Sequence, residues 1–292
     1  EFGGVYPGEL GVHYGYPTAK DLDYFKEQGL MLIRFPFRWE RLQPELYGEL
    51  NDRDLALMKE FVQAANEREM PIFIDMHNFG RRSLDGGKTH VVIGEGPELT
   101  ADHLADAWER LAVAFKDYGL WGYDIMNEPH DMSSNESWFS IAQKVIDRIR
   151  TVDRTTPIII SGDSWSSGAR WLQYSDSLRL LKDPSNKLIF QCHQYFDHDS
   201  AGSYGSRDEN GVFIPSTYEA EQATPQTGVE RIRPFVEWLR KYDLKGIVGE
   251  YGIPDDDPRW NVVLENMLRY MQENGVAGTY WSAGPRWGKY RL

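Results

Sequence analysis

Cysteine is almost absent: Cys192 is the single one among 292 residues, so no disulfide forms within the chain and the redox compartment is left open. It sits inside the apolar run LIFQCHQY with no positive neighbour in sequence, the setting of a buried, inert thiol. Positive charge is also scarce. Lys and Arg number 32 against 45 Asp and Glu, giving a formal net charge of −13. Such a surface repels phosphate backbones, which argues against nucleic acid as a partner. No apolar run approaches the roughly 20 residues that span a membrane, so no membrane partner is expected. The opening EFGGVYPGEL lacks the basic start and apolar centre of a signal peptide. That suits the mature form of a secreted protein, and equally a cytoplasmic one. No G-x-G-x-x-G follows the first clear strand, which weakens a dinucleotide fold.

What the chain does have is aromatic rings, 13% of residues, with 10 Trp and 16 Tyr. Some must be core, and others offer the flat, polar-rimmed faces on which sugar rings stack. Short, near-continuous apolar runs recur at Met31–Phe37, Pro71–His77, Tyr123–Met126, Pro157–Ser161, Leu188–Tyr195, Gly246–Gly249 and Gly278–Trp281. Continuous rather than alternating apolar character marks strands buried on both faces. Helical patterns separate them. Thr18 and Thr100 read as N-caps, with Gly119 as the C-terminal cap of the second helix. Further helices are expected over 53–67, 137–150, 231–241 and 261–273. Strand alternating with helix, without a composition break, predicts a single α/β domain over residues 1–292. A (β/α)8 TIM barrel is the expected architecture, its first strand short and placed at Leu10–Tyr14, where Gly11 weakens it. Residues 196–229, rich in Gly, Ser, Asp and Pro, read as one long connection overhanging the catalytic face.

The C-terminal ends of these runs gather polar and aromatic groups: Arg34, His77 with Asn78, Asn127 with Glu128, Asp163 with Trp165, His193 with Tyr195, Glu250, and Trp281. In a parallel barrel that end hosts the active site. Glu128 and Glu250, 122 residues apart, each close an apolar run. A carboxylate in a water-poor site must be paired, hydrogen-bonded or used, and two of them meeting across a cleft suit cleavage of a glycosidic bond. Each also has a plainer reading. Glu128 would serve as a helix-entry acid favoured by the next helix dipole, and Glu250 as the partner of Arg34 in an internal ion pair. His193 and Tyr195, two apart on a strand, share a face. His77 and His193 are also conceivable metal ligands beside Glu128, Glu250 or Asp163, yet no His-x-His or His-x-x-x-His spacing links them, so no metal and no cofactor is expected. No lysine ends a run, which argues against a Schiff-base aldolase.

Taken in order, IRFPFRWERLQP, IDMHNFGR, MNEPHD, HQYFDHD, GEYGIP and TYWSAGP resemble glycoside hydrolase family 5, in clan A of the barrel glycosidases. The resemblance implies a retaining mechanism with Glu128 as acid/base and Glu250 as nucleophile. It further implies that Arg34 and Tyr195 hold Glu250, and that Asn127 binds the sugar 2-hydroxyl with His77 and Asn78 lining the same subsite. His193 would contact the acid/base and Trp281 would floor the sugar being cleaved. Retention requires the two carboxyls roughly 5–5.5 Å apart, inversion roughly 9 Å. The implied activity is that of a secreted, extracellular, monomeric endo-β-glycosidase acting on a polysaccharide substrate, β-1,4-glucan first. Mannan, xylan, mixed-linkage glucan and a glucan-backbone bacterial exopolysaccharide are alternatives, as are an inactive carbohydrate-binding barrel and a metal-dependent hydrolase. Trp39, Trp165, Trp260 and Trp287 are candidate platforms for flanking sugars.

Overall fold

A computed structural model describes residues 4–282. The chain divides into two compact units, residues 1–165 with 177–189, and residues 166–176 with 190–292.

In the first unit, all four apolar runs before residue 165 are strands. They are β1 (Ile33–Phe37), β2 (Ile72–Met76), β5 (Gly122–Asp124) and β6 (Ile158–Ser161), with two short antiparallel strands, β3 (Arg81–Arg82) and β4 (Val91–Val92), between the second and third. The order is β1-β2-β5-β6, every pairing parallel. Every residue of β2, β5 and β6 is buried, as strands covered on both faces require. Two aspartates therefore sit in the interior. Asp75 of β2 and Asp124 of β5 lie opposite one another in register.

The helices of this unit follow their caps. Ala19–Glu27 (α1) opens on a capping box between Thr18 and Asp21. After the short Trp39–Leu42 (α2), Asp52–Glu67 (α3) buries Met58, Phe61 and Val62. Ala101–Phe115 (α4) opens on Thr100, with His103 as the reciprocal partner, and buries Leu104, Trp108, Leu111 and Phe115 on one stripe. It stops a turn before Gly119, which nonetheless adopts the left-handed conformation, φ +68. Trp138–Arg150 (α5) opens on Ser137.

The second unit is built on β7 (Leu188–His193), β10 (Gly246–Tyr251) and β11 (Ala277–Tyr280), ordered β7-β10-β11 and parallel. Its helices are α6 (Trp171–Tyr174), α7 (Thr227–Tyr242) and α8 (Arg259–Glu273). α7 begins about a turn earlier and α8 two residues earlier than their apolar spacing suggests, because Thr227, Gly228, Val229 and Trp260 are themselves buried.

Two expectations need correction. Leu10–Tyr14 is no strand but a tight turn. Gly11 takes φ +89, His13 donates its backbone N–H to the Glu9 carbonyl at 2.8 Å, and Leu10 and Tyr14 form only an isolated bridge. The stretch 196–229 is also not one structureless connection. It carries an antiparallel hairpin, β8 (Gly205–Arg207) with β9 (Phe213–Pro215). The base of that hairpin is fixed. The buried Asp197 carboxylate accepts from the amides of Gly202, Ser203 and Tyr204, and Arg231 donates to the carbonyls of Tyr195 and Asp197. Alternation over only three residues per strand is too short to register as a period.

Candidate active site

The anticipated site residues fall in both units. Arg34, His77, Asn78, Asn127, Glu128 and Trp165 belong to the first; His193, Tyr195, Glu250 and Trp281 belong to the second. Trp287 lies outside the described residues.

In the first unit the chain turns sharply at three strand ends. Phe79, Glu128 and the pair Ser164–Trp165 all have positive φ, with Glu128 at 41. Non-glycine residues held there store strain that only firm surroundings maintain, and such residues concentrate at functional sites. Burial pushes the Glu128 carboxyl up to about 7; His77 and Arg34 pull against that rise and Asp75 adds to it. Glu128 thus carries a proton near neutrality, as a general acid must.

Beside it lies a charged network that strand periodicity alone does not announce. The Arg34 guanidinium donates through Nε to Asp124 Oδ2 at 3.1 Å and through Nη2 to Asn127 Oδ1 at 2.6 Å, and the same Nη2 is ion-paired with Asp75 Oδ2 at 3.1 Å. His77 Nδ1 lies 2.7 Å from the same Asp75 oxygen, and its Nε2 lies 3.4 Å from Asn127 Nδ2. Asp75 and Asp124 are the residues that sequence reading missed. The available signal was a charge in the middle of an apolar run, PIFIDMH and WGYDIMNE, where an unpaired carboxylate is prohibitively costly.

Asn78 plays a different part from the one anticipated. It is buried, its Oδ1 accepts from the Trp39 amide at 2.9 Å, and its Nδ2 donates to Glu40 Oε2 at 2.8 Å and to the Arg81 carbonyl at 3.1 Å. Both amide protons are engaged in holding the turn after β2. Trp165 is 40% exposed and stacks on the His130 imidazole with centroids 4.2 Å apart and planes 12° apart, leaving a ring presented to solvent. Trp39 and Trp260 are core residues instead. Trp39 bonds Gln43 through Nε1 at 2.8 Å, and Trp260 packs edge-on against Tyr204 and Tyr218.

In the second unit Glu250 is buried at the end of β10. Tyr195 Oη donates to its Oε2 at 3.0 Å, and His193 Nδ1 lies 3.6 Å from the same oxygen. A bulge sets this up. Val248 pairs with Cys192, but Glu250, two residues on, pairs with the very next residue, His193. The extra residue, Gly249, lies with its backbone against Gln191: a Cβ there would meet Oε1 at 2.1 Å. Bulges of this kind redirect a side chain next to active sites. Trp281 follows β11, its amide bonded to the Tyr251 carbonyl at 2.8 Å, and its side chain is partly exposed.

Carboxyl groups, histidines and indoles gathered at the strand ends of a parallel α/β scaffold mark an enzyme, since strand ends are where catalytic side chains collect in this fold class. The family model described as Cellulase (glycosyl hydrolase family 5) matches residues 6–286, and the chain belongs to that family of glycoside hydrolases. Among solved structures, endoglucanase Cel5A from Pseudomonas stutzeri in complex with cellobiose is similar, with a TM-score of 0.86 and 40% identity over 98% of this chain and 81% of that one. The endo-beta-1,4-glucanase Xac0029 from Xanthomonas axonopodis pv. citri superposes with a TM-score of 0.84 at 32% identity, covering 98% and 86% of the two chains. In sequence, Endo-beta-1,4-glucanase A from Emericella nidulans is 31% identical over 99% of this chain and 82% of its own length. These likenesses fix the fold class as the α/β barrel of TIM type. No helix among the described residues is long and apolar enough to cross a membrane.

Proposed function

We propose that the chain is a single catalytic domain, a monomeric, secreted endo-β-1,4-glucanase that cleaves β-1,4-glucan by double displacement with retention. Glu128 protonates the leaving glycosidic oxygen. Glu250 attacks the anomeric carbon through an oxocarbenium-like transition state and forms a glycosyl ester. Glu128, now a base, takes a proton from water, which opens the ester. Tyr195 and His193 steer Glu250. Asn127, held by Arg34 and His77, donates to the 2-hydroxyl, a contact that strengthens in the transition state. Trp281 and Trp165 offer rings for stacking. Asn78 supports its turn rather than touching sugar.

The observation that carries this reading is the family 5 match over residues 6–286, supported by Glu128 at one strand end and by Glu250 under the Tyr195 hydroxyl at another. The relatives' names place β-1,4-glucan first among substrates. The test has two arms. Products from a soluble cellulose derivative, sized and followed by NMR as they form, are expected to be short oligosaccharides that first appear with the β-anomeric configuration. Inversion, or activity confined to mannan or xylan, defeats the proposal. Glu250→Ala is expected to abolish turnover. Glu128→Ala is expected to lose turnover on cellulose yet still release an acidic phenol from an aryl glycoside, since that leaving group needs no proton. Activity that vanishes on exhaustive chelation would point instead to a metal-dependent hydrolase.

A further inference from the structure

The contacts around Arg34 close into a ring. Arg34 Nη2 carries two protons. It donates to Asn127 Oδ1 at 2.6 Å and is ion-paired with Asp75 Oδ2 at 3.1 Å. Asn127 Nδ2 faces His77 Nε2 at 3.4 Å, and His77 Nδ1 faces Asp75 Oδ2 at 2.7 Å. An amide nitrogen can only donate and a carboxylate can only accept. The neutral imidazole therefore fits in one way, with its proton on Nδ1 towards Asp75 and its lone pair on Nε2 towards Asn127. The other tautomer would set two donors against each other at Asn127 and two acceptors at Asp75. The same logic fixes the Asn127 amide, because Arg34 demands the oxygen on its side.

We propose that Asp75 is a positioning residue for the hydrolysis: it closes this ring, and by doing so fixes both the tautomer of His77 and the face that the Asn127 amide turns to the sugar. The proposal rests on the reading that Asn127 and Glu128 act on the substrate. Asp75 makes no contact with the sugar in this scheme. Its buried carboxylate is the acceptor shared by the imidazole and the guanidinium. Asp124 differs: it takes the Nε proton of Arg34 and lies outside the ring. Both ties end on the same oxygen, Asp75 Oδ2, so Asp75→Asn could keep an acceptor there and lose only the charge, whereas Asp75→Leu, of similar size, removes the acceptor altogether.

The first measurement needs no variant. Imidazole 15N shifts of the whole protein in mildly alkaline solution, with His77 assigned by its loss in His77→Gln, are expected to show protonated Nδ1 and bare Nε2. A proton on Nε2 overturns the proposal. Asp75→Leu is then expected to lose that single tautomer, while Asp124→Asn keeps it. On a cello-oligosaccharide, Asp75→Leu should lower kcat roughly hundredfold, the scale of a small misplacement of a reacting group, with KM changed by no more than about twofold, since the lost interaction belongs to the transition state. A folded Asp75→Leu enzyme that retains the parent's tautomer, or whose kcat stays within about threefold of the parent, also overturns it. Failure of the underlying reading looks different: Glu128→Gln would keep its turnover, while the tautomer result would be unaffected.

Discussion

A glutamate in water releases its proton near pH 4.5, and Glu128 holds on to it to about 7 because burial disfavours the charged form. The sign of the consequence for stability follows. Between those two values the folded chain keeps a proton that the unfolded chain has released, so this group's contribution falls as pH rises through the window, and the full penalty stands above it. Glu128→Gln is therefore expected to unfold at a higher temperature than the parent at about pH 8, with the gap closing towards about pH 5. Calorimetric scans at the two pH values check this; a gap of equal size at both would show that the carboxyl is not the cause. The same proton sets the alkaline limb of kcat/KM, expected to bend near 7. At this scale the sequence was partly legible. Glu128, Glu250, His193 and Tyr195 stood out because each ends an apolar run. Asp75 and Asp124 did not, since their meaning depends on Arg34, 41 and 90 residues away in sequence and joined to them only by strand pairing.

Among elements, the β10 bulge is where backbone geometry serves chemistry. Gly249→Ala would drive a methyl into the Gln191 side chain, itself fully buried. Overpacking of this kind costs typically 1–3 kcal/mol, and here it would also turn Glu250 away from Tyr195. A fall in Tm together with a loss of kcat far beyond the loss of folded protein is the expected outcome. Full activity in the folded fraction would mean that the bulge does not aim the carboxyl. Elements were well marked in the sequence wherever burial was two-sided or a cap was present. All seven apolar runs are strands, and Thr18, Thr100 and Ser137 do open helices. What escaped was set by one or two residues: Gly11 turning the chain at Leu10–Tyr14, and Asp197 gathering three amides beneath a hairpin.

For the molecule as a whole, the net charge of −13 bears on substrates that are themselves charged. A carboxymethylated glucan is a polyanion and is repelled at long range, an effect that salt screens within about 10 Å at 0.1 M. Initial rates on such a substrate at low concentration are expected to rise as salt is added from near zero, while rates on a neutral cello-oligosaccharide stay level. A parallel response of both substrates would assign the salt effect to the protein's stability rather than to encounter. Net charge was legible from composition alone, because it needs no fold. The family's order of motifs was legible for a related reason: strand ends come in chain order in a parallel α/β fold, so sequence order and site order agree.

The hairpin of β8 and β9 stands on a closed footing. Ser216 donates its amide to the Tyr204 carbonyl at 3.0 Å, and Tyr204 is tied through its hydroxyl to Phe196 and Gly252. The hairpin from 205 to 215 thus rises from a base whose ties run through Tyr204 into the chain below it. Natural or laboratory variation has there a socket in which arms of different length and polarity can be exchanged without renegotiating the interior.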